Sequence, residues 1–138
     1  MLRVYSDGGS RGNPGPAAFA VVASEGGRVV FELSEFIGVE TNNCAEYRGL
    51  IAGIAKAVEL GAGEAEFVTD SELMARQMNG IYRVKSPKLR ELHENAKALA
   101  SLIPKVSFRN VRREEELIPR ADALLNMELD RRMGRRRL

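Results

Sequence analysis

The length, composition and charge of this chain are those of one globular domain. Its 138 residues, 44% hydrophobic and 29% charged with a net charge of +2, exclude disordered and fibrous proteins. The single cysteine excludes an intrachain disulfide, while the lack of a leader-like start and of an apolar run of about 18 residues predicts a cytoplasmic protein without membrane association.

The first forty residues have the pattern of three β-strands. Residues 2–6 alternate in strand fashion, residues 17–23 form an apolar run, and residues 28–37 follow a Gly26-Gly27 turn. The glycine- and proline-rich stretch 10–16 predicts a loop between the first two strands. Strands this close in sequence are expected to form an antiparallel meander.

Helical spacing begins after residue 41. Apolar residues between Tyr47 and Val58 recur every three or four positions, Thr41 and its neighbours can cap the start of the helix, and Gly61 can end it. The remaining predicted elements are a strand, two helices, a strand and a last helix, over residues 65–69, 71–79, 87–102, 105–111 and 119–131.

This order of elements predicts an α/β fold. Because helical crossovers favour parallel pairing of the fourth and fifth strands, we expect a mixed five-stranded sheet, three antiparallel strands and then two parallel ones, with helices on both faces. The last eight residues, RRMGRRRL, contain five arginines and no acid. We therefore expect one folded domain over residues 1–130 and a basic tail over 131–138, which either binds a polyanion or is a solvated terminus.

Four acidic residues occupy positions where a surface charge is unusual. Asp7 ends the first predicted strand and Asp70 the fourth. Glu46 lies in the first turn of the long helix, and Asp122 lies within an apolar run early in the last helix. Each has a structural interpretation, as a cap of a turn or helix or as a charge near a positive helix end.

A shared position at one end of the sheet favours a chemical interpretation of these acids. If the first and fourth strands are neighbours, Asp7 and Asp70 lie side by side, and they repel each other unless protonated or bridged by cations. Oxygen ligands without histidine or thiolate suit Mg²⁺ or Mn²⁺. Two such ions can activate a water and stabilise the leaving oxygen in phosphodiester cleavage.

Four short segments resemble the type 1 ribonuclease H family in their order and spacing. They are YSDGGS with GNPG, TNNCAE, TDS and ADAL, at residues 5–10 with 12–15, 41–46, 69–71 and 121–124. The resemblance implies a ribonuclease H-like fold and an endonuclease, over residues 1–130, that cuts the RNA strand of RNA/DNA hybrids and leaves 5′-phosphate and 3′-hydroxyl ends. It also implies two Mg²⁺ ions, replaceable by Mn²⁺, and the metal-binding catalytic residues Asp7, Glu46, Asp70 and Asp122.

Polar residues beside these acids are candidate substrate contacts. The amides of Asn42 and Asn43 can donate to and accept from the 2′-hydroxyls in the minor groove of a hybrid. The family resemblance places Asn13 and Thr41 on a phosphate of the DNA strand. Capping of the helix is the alternative role for residues 41–43, and one of these residues can do both.

Other candidate contacts come from backbone groups and from cations. The N–H groups of Gly8 and Gly9 can reach a phosphate, and Lys85 and Arg113 are further candidates. The chain departs from many family members, since loop 112–119 has no histidine and segment 80–87 has no basic tryptophan-bearing insertion. We also expect no separate hybrid-binding domain before the fold. Lys85, Lys88 and the arginine tail are expected to bind the DNA strand in place of the missing insertion, weakly and in a salt-sensitive way.

Three functions are therefore open to test. The leading hypothesis is a monomeric, metal-dependent nuclease on RNA/DNA hybrids, with double-stranded RNA as a further candidate substrate because its minor groove also carries 2′-hydroxyls. The second is a non-catalytic hybrid- or RNA-binding module, which the presence of all four carboxylates disfavours. The third is a transposase-like or integrase-like protein, which would need further DNA-binding domains.

Overall fold

The chain folds into one mixed sheet with helices on both faces, as predicted. A computed structural model describes residues 1–134. The strands are β1 (Leu2–Ser10), β2 (Gly15–Glu25), β3 (Arg28–Glu40), β4 (Glu64–Thr69) and β5 (Lys105–Asn110). The helices are α1 (Asn42–Glu59), α2 (Glu72–Met78), α3 (Pro87–Ala100) and α4 (Ile118–Arg132). Within residues 1–134, no helix is long and apolar enough to cross a lipid bilayer.

The sheet has the strand order β3-β2-β1-β4-β5. The first three strands pair antiparallel, and β4 pairs parallel with both β1 and β5, which confirms the predicted topology. Gly26 and Gly27 join β2 to β3 with φ values of 60° and 79°. Two-residue hairpin turns that match the twist of their strands require such positive φ values, so glycine at both positions allows this tight turn.

Two hydrophobic layers hold the helices against the sheet. Val4 of β1 faces α1 to α3, where it joins a cluster with Tyr47 and Ile54. Tyr5 faces the opposite way and joins a cluster with Leu125 of α4. Because side chains alternate along a strand, Asp7 shares the face of Tyr5 and points to the α4 side of the sheet.

Several element boundaries and the position of Glu46 differ from those predicted. β1 continues to Ser10, since residues 7–10 pair with residues 17–20 of β2, so Asp7 lies inside the strand and not at its end. Helix α1 has no acid in its first turn, so Glu46 lies one turn further along than predicted. Helix α4 spans Ile118–Arg132, one residue longer at each end than the predicted 119–131, and residues 135–138 of the predicted basic tail lie outside the described residues.

Candidate active site

The four carboxylates singled out in the sequence come together at one end of the sheet. Tyr5 lies opposite Val68 in the parallel pairing of β1 with β4, so the strands carry Asp7 and Asp70 to neighbouring positions two residues further on. Glu46 from α1 and Asp122 from α4 reach the same place from the two faces of the sheet. All four line one open cleft of about 770 Å³.

Gly8 allows helix α1 to approach β1 this closely. A Cβ atom at Gly8 would overlap the backbone carbonyl of Ala45 and lie 2.6 Å from the backbone nitrogen of Glu46. Real Cβ atoms do not approach backbone atoms so closely, so only glycine fits here. The glycine beside Asp7 therefore sets the distance at which α1 delivers Glu46 to the cleft.

Burial and mutual repulsion raise the pKa values of these carboxyls. Asp7 is only 8% exposed, and burial, followed by the charges of Asp70, Glu46 and Asp122, raises its pKa to about 8. Burial and then the charge of Asp70 raise the pKa of Glu46 to about 8. Burial also raises the pKa of Asp70, against the opposing charge of Arg113. Without a cation in the cleft, Asp7 and Glu46 therefore favour their protonated forms near neutral pH, because crowded carboxylates are unfavourable when buried.

The donor atoms of the cleft fit hard divalent cations. Oε2 of Glu46 is buried and has no hydrogen-bond partner among the described residues, an arrangement that is unfavourable unless a cation or water completes it. Within residues 1–134, no three His, Cys, Asp or Glu side chains are already arranged tightly enough to hold a metal ion. Asp7 and Asp122 approach each other closely enough that a hydrogen bond between their side chains helps to raise the pKa of Asp7. Carboxylate oxygens alone favour Mg²⁺ or Mn²⁺.

The structural interpretations of these acids do not hold. Ser71, not Asp70, caps α2, since its side chain accepts a hydrogen bond of 3.2 Å from the backbone N–H of Met74. Asp7 lies within a strand, and neither α1 nor α4 has an acid in its first turn. Neither capping nor interaction with a positive helix end therefore explains this group of carboxylates.

Most of the predicted substrate contacts line the cleft. These residues are Gly8, Gly9, Asn13, Asn42, Asn43 and Arg113. Thr41 is outside the cleft lining and is the N-cap of α1, where its side chain accepts from the backbone N–H of Cys44 at 3.2 Å. Lys85 lies in a separate groove of about 520 Å³ beside Tyr82. The structure therefore brings six of the eight together with the carboxylates.

Hydrogen bonds lock the start of α1 onto the loop that follows β1. Oδ1 of Asn42 accepts from the backbone N–H of Ser10 at 2.8 Å and from its hydroxyl at 3.1 Å. Oδ1 of Asn13 accepts from the backbone N–H of Asn42 at 3.0 Å. Because Oδ1 of Asn42 already accepts two hydrogen bonds, Asn42 can only donate to a ligand through its amide nitrogen, whereas the sequence predicted that it could also accept.

The sequence analysis missed Arg11, which also lines the cleft. Its Nη1 lies 2.7 Å from a carboxylate oxygen of Asp130, and its Nη2 lies 3.3 Å from Oδ1 of Asn126. Both partners are on α4, so Arg11 ties the loop after β1 to the helix that carries Asp122. A cation two residues before Asn13 in a glycine-rich loop was the available signal.

Solved structures identify the family. The N-terminal RNase H domain of Rv2228c from Mycobacterium tuberculosis, solved as a fusion with maltose binding protein, is 43% identical with a TM-score of 0.91, over 96% of each chain. The chain belongs to the ribonuclease H family. A family model described as reverse transcriptase-like also matches residues 5–127 of this ribonuclease H domain, a span that includes all four carboxylates.

Further relatives show the extent of the similarity. The ribonuclease H domain is 45% identical over 129 residues to the bifunctional protein Rv2228c of Mycobacterium tuberculosis, covering 92% of this chain but 35% of that protein. It is 40% identical over 130 residues to ribonuclease HI of Halobacterium salinarum, covering 94% of this chain and 64% of that protein. LC11-RNase H1, solved in complex with an RNA/DNA hybrid, is 37% identical with a TM-score of 0.90, over 96% of this chain and 99% of that one. The chain thus spans about a third of the mycobacterial relative.

Proposed function

We propose that this ribonuclease H domain hydrolyses the RNA strand of RNA/DNA hybrids as an endonuclease, leaving 5′-phosphate and 3′-hydroxyl ends. The observation that carries the proposal is the cleft in which Asp7, Glu46, Asp70 and Asp122 meet although their charges repel. Two similar proteins, ribonuclease HI and LC11-RNase H1, support the activity and the hybrid as its substrate. Residues 1–130 would form the catalytic domain, and residues 131–138, the first two of which end α4, the basic tail.

The same four carboxylates are the proposed metal ligands. Ribonucleases H depend on divalent metal ions in general, and we assign to this cleft two Mg²⁺ ions, with Mn²⁺ able to replace them. Bound ions would supply an activated water and stabilise the charge that develops at the scissile phosphate. Asp7 would hold its oxygens in place because its backbone is paired within the centre of the sheet. The unpartnered Oε2 of Glu46 is available as a ligand.

The polar rim of the cleft would select the substrate. The amide nitrogens of Asn13 and Asn42 are donors suited to a phosphate or a 2′-hydroxyl, and their oxygens are fixed by hydrogen bonds that hold both side chains in place. Asn43 is exposed at the same rim. A 2′-hydroxyl distinguishes RNA from DNA in the wide minor groove, so these three amides would direct cleavage to the RNA strand.

Cleavage of four labelled duplexes tests this function. The wild-type chain with Mg²⁺ is expected to cut only the RNA strand of an RNA/DNA hybrid, to cut double-stranded RNA more slowly, and to leave a DNA duplex intact. A hybrid whose RNA strand carries 2′-O-methyl groups is the matched control and should stay whole. Tight binding of the hybrid without cleavage, with Mg²⁺ or Mn²⁺, would contradict the nuclease and support a binding module.

The groove that holds Lys85 is expected to add affinity without contributing to the chemical step. Tyr82 and Ile81 are 47% and 61% exposed beside Lys85, so a base or sugar could contact an apolar surface next to a cation. We expect Lys85→Ala to raise KM about threefold and to leave kcat unchanged. The slope of log KM against log salt concentration should fall by about 1, the value for the loss of one phosphate contact. Lys97→Ala removes the same charge from the last turn of α3 and is the control. Equal effects of the two substitutions on KM would argue against a contact at Lys85.

A further inference from the structure

The loop between β5 and α4 has an unusual backbone at Glu116. This loop carries Arg113 and Glu114 into the cleft. Within residues 1–134, Glu116 is the only residue other than glycine with a positive φ, of 54°. An L side chain rarely adopts that conformation unless its surroundings impose it, and such residues concentrate at functional sites. The contacts of Glu116 therefore indicate what holds the loop.

Two strands hold the carboxylate of Glu116. It accepts hydrogen bonds from the hydroxyl of Tyr5 at 2.7 Å and from the two terminal nitrogens of Arg109 at 2.8 and 2.9 Å. Arg109 also donates to Glu66 at 3.1 Å, and Glu66 in turn accepts from Arg3 at 3.1 Å. We call Tyr5, Arg109 and Glu116 the Glu116 clamp. These bonds lower the pKa of Glu116 to about 2, with Arg109 as the main cause.

The clamp connects the loop to the strands that carry the cleft acids. Tyr5 lies two residues before Asp7 on β1 and is itself buried. Arg109 pairs with Val68, two residues before Asp70, and the next residue, Asn110, donates to the backbone carbonyl of Thr69 at 3.1 Å. The position of Glu116 is therefore set by the same backbone segments that position Asp7 and Asp70.

The residue that the clamp delivers to the cleft is Arg113. It lines the cleft with Asp70, and its charge favours the ionised form of that carboxyl. A guanidinium beside the acids would contact a phosphate that reacts there. We propose that Glu116 is a positioning residue, which, held by Tyr5 and Arg109, fixes the loop so that Arg113 reaches the reacting phosphate. This inference rests on the proposed nuclease function.

Substitution Glu116→Gln tests the clamp because it keeps the size of the side chain and removes its charge. We expect kcat for hybrid cleavage to fall about tenfold, because a small displacement of a group at the reacting centre slows the chemical step. KM should change by less than about twofold. Tyr5→Phe, which removes one of the three hydrogen bonds, should lower kcat in the same direction by a smaller factor. Glu115→Gln, at an exposed neighbour in the same loop, is the control and should retain wild-type kcat.

A double-mutant cycle separates positioning from a merely structural role. Arg113→Ala alone should lower kcat. Adding Glu116→Gln to that variant should cause no further loss of kcat, because the Arg113 side chain that Glu116 positions is absent. The full loss in that background, or wild-type kcat in either Glu116→Gln or Arg113→Ala, would overturn the clamp as a positioning device. Failure of the wild-type chain to cut the hybrid would instead overturn the proposed function, so the two failures are distinguishable.

Discussion

Asp7→Asn is expected to abolish hybrid cleavage and at the same time to stabilise the metal-free protein. The substitution keeps the shape of the side chain and removes one negative charge from a site where each carboxylate would hold a metal ion. A loss of several kcal/mol of transition-state stabilisation corresponds to a fall in kcat of about 10³-fold or more. Removing the charge also relieves its repulsion with Glu46, Asp70 and Asp122.

The pH dependence of stability follows from the direction of these shifts. The pKa values of Asp7 and Glu46 in the folded state are about 8, well above their ordinary values near 4. A carboxyl whose pKa is raised by folding stabilises the folded state when protonated, so this contribution is complete below about pH 4 and is lost as the pH rises toward 8. Without metal ions, the wild-type chain should therefore be less stable at pH 8 than at pH 5.5.

Thermal unfolding in a chelating buffer measures this effect. The Tm of Asp7→Asn should exceed that of the wild type at pH 8 and should decline less between pH 5.5 and pH 8. Glu72→Gln removes an exposed carboxylate on α2 and serves as the control with the wild-type pH profile. An equally steep decline in Asp7→Asn would contradict the repulsion that the structure indicates.

Gly8→Ala is expected to have the second largest effect. Its Cβ atom would overlap backbone atoms of α1, which cannot rotate away as a flexible side chain could. We expect the free energy of unfolding to fall by about 1–3 kcal/mol from overpacking. Since α1 must shift away from β1, Glu46 moves from the cleft, and kcat should fall about 10²-fold.

Denaturant unfolding and steady-state kinetics test this substitution together. Gly63→Ala is the matched control, because an added Cβ there meets no atom within 4 Å and the residue does not adopt a positive φ. It should leave both stability and kcat close to wild type. A folded Gly8→Ala protein with wild-type kcat would show that the approach of α1 to β1 does not set the position of Glu46.

The topology was predictable because each element has a clear local pattern. Strand alternation, helical spacing and the Gly61 stop define the elements, and the crossover rule predicts how they pair. The end of β1 was not predictable in the same way. Gly8 and Gly9 have the composition of a turn, but they pair with β2, and Gly8 is needed for the close contact with α1.

The candidate site was predictable where its residues lie at the ends of predicted strands or near the starts of predicted helices. The four carboxylates could be singled out because they lie at ends of elements that the predicted topology brings together, although each also had a local interpretation. Interactions between distant segments left no such signal. Arg11 is 119 residues from Asp130, and Tyr5 is 111 residues from Glu116, so only the folded chain reveals these pairs. The hydrogen bonds that restrict Asn42 to a donor are likewise tertiary.

Cleavage of a labelled RNA/DNA hybrid across a range of Mg²⁺ concentrations, with the wild type and Asp70→Asn compared, tests the proposed metal site most directly. Circular dichroism would show that both proteins are folded, and a binding assay that both bind the hybrid. The wild type should cut the RNA strand only when Mg²⁺ or Mn²⁺ is present, and Asp70→Asn should leave the hybrid intact throughout. Cleavage in the presence of a chelator, or wild-type rates from the folded Asp70→Asn protein, would contradict a metal-dependent carboxylate site.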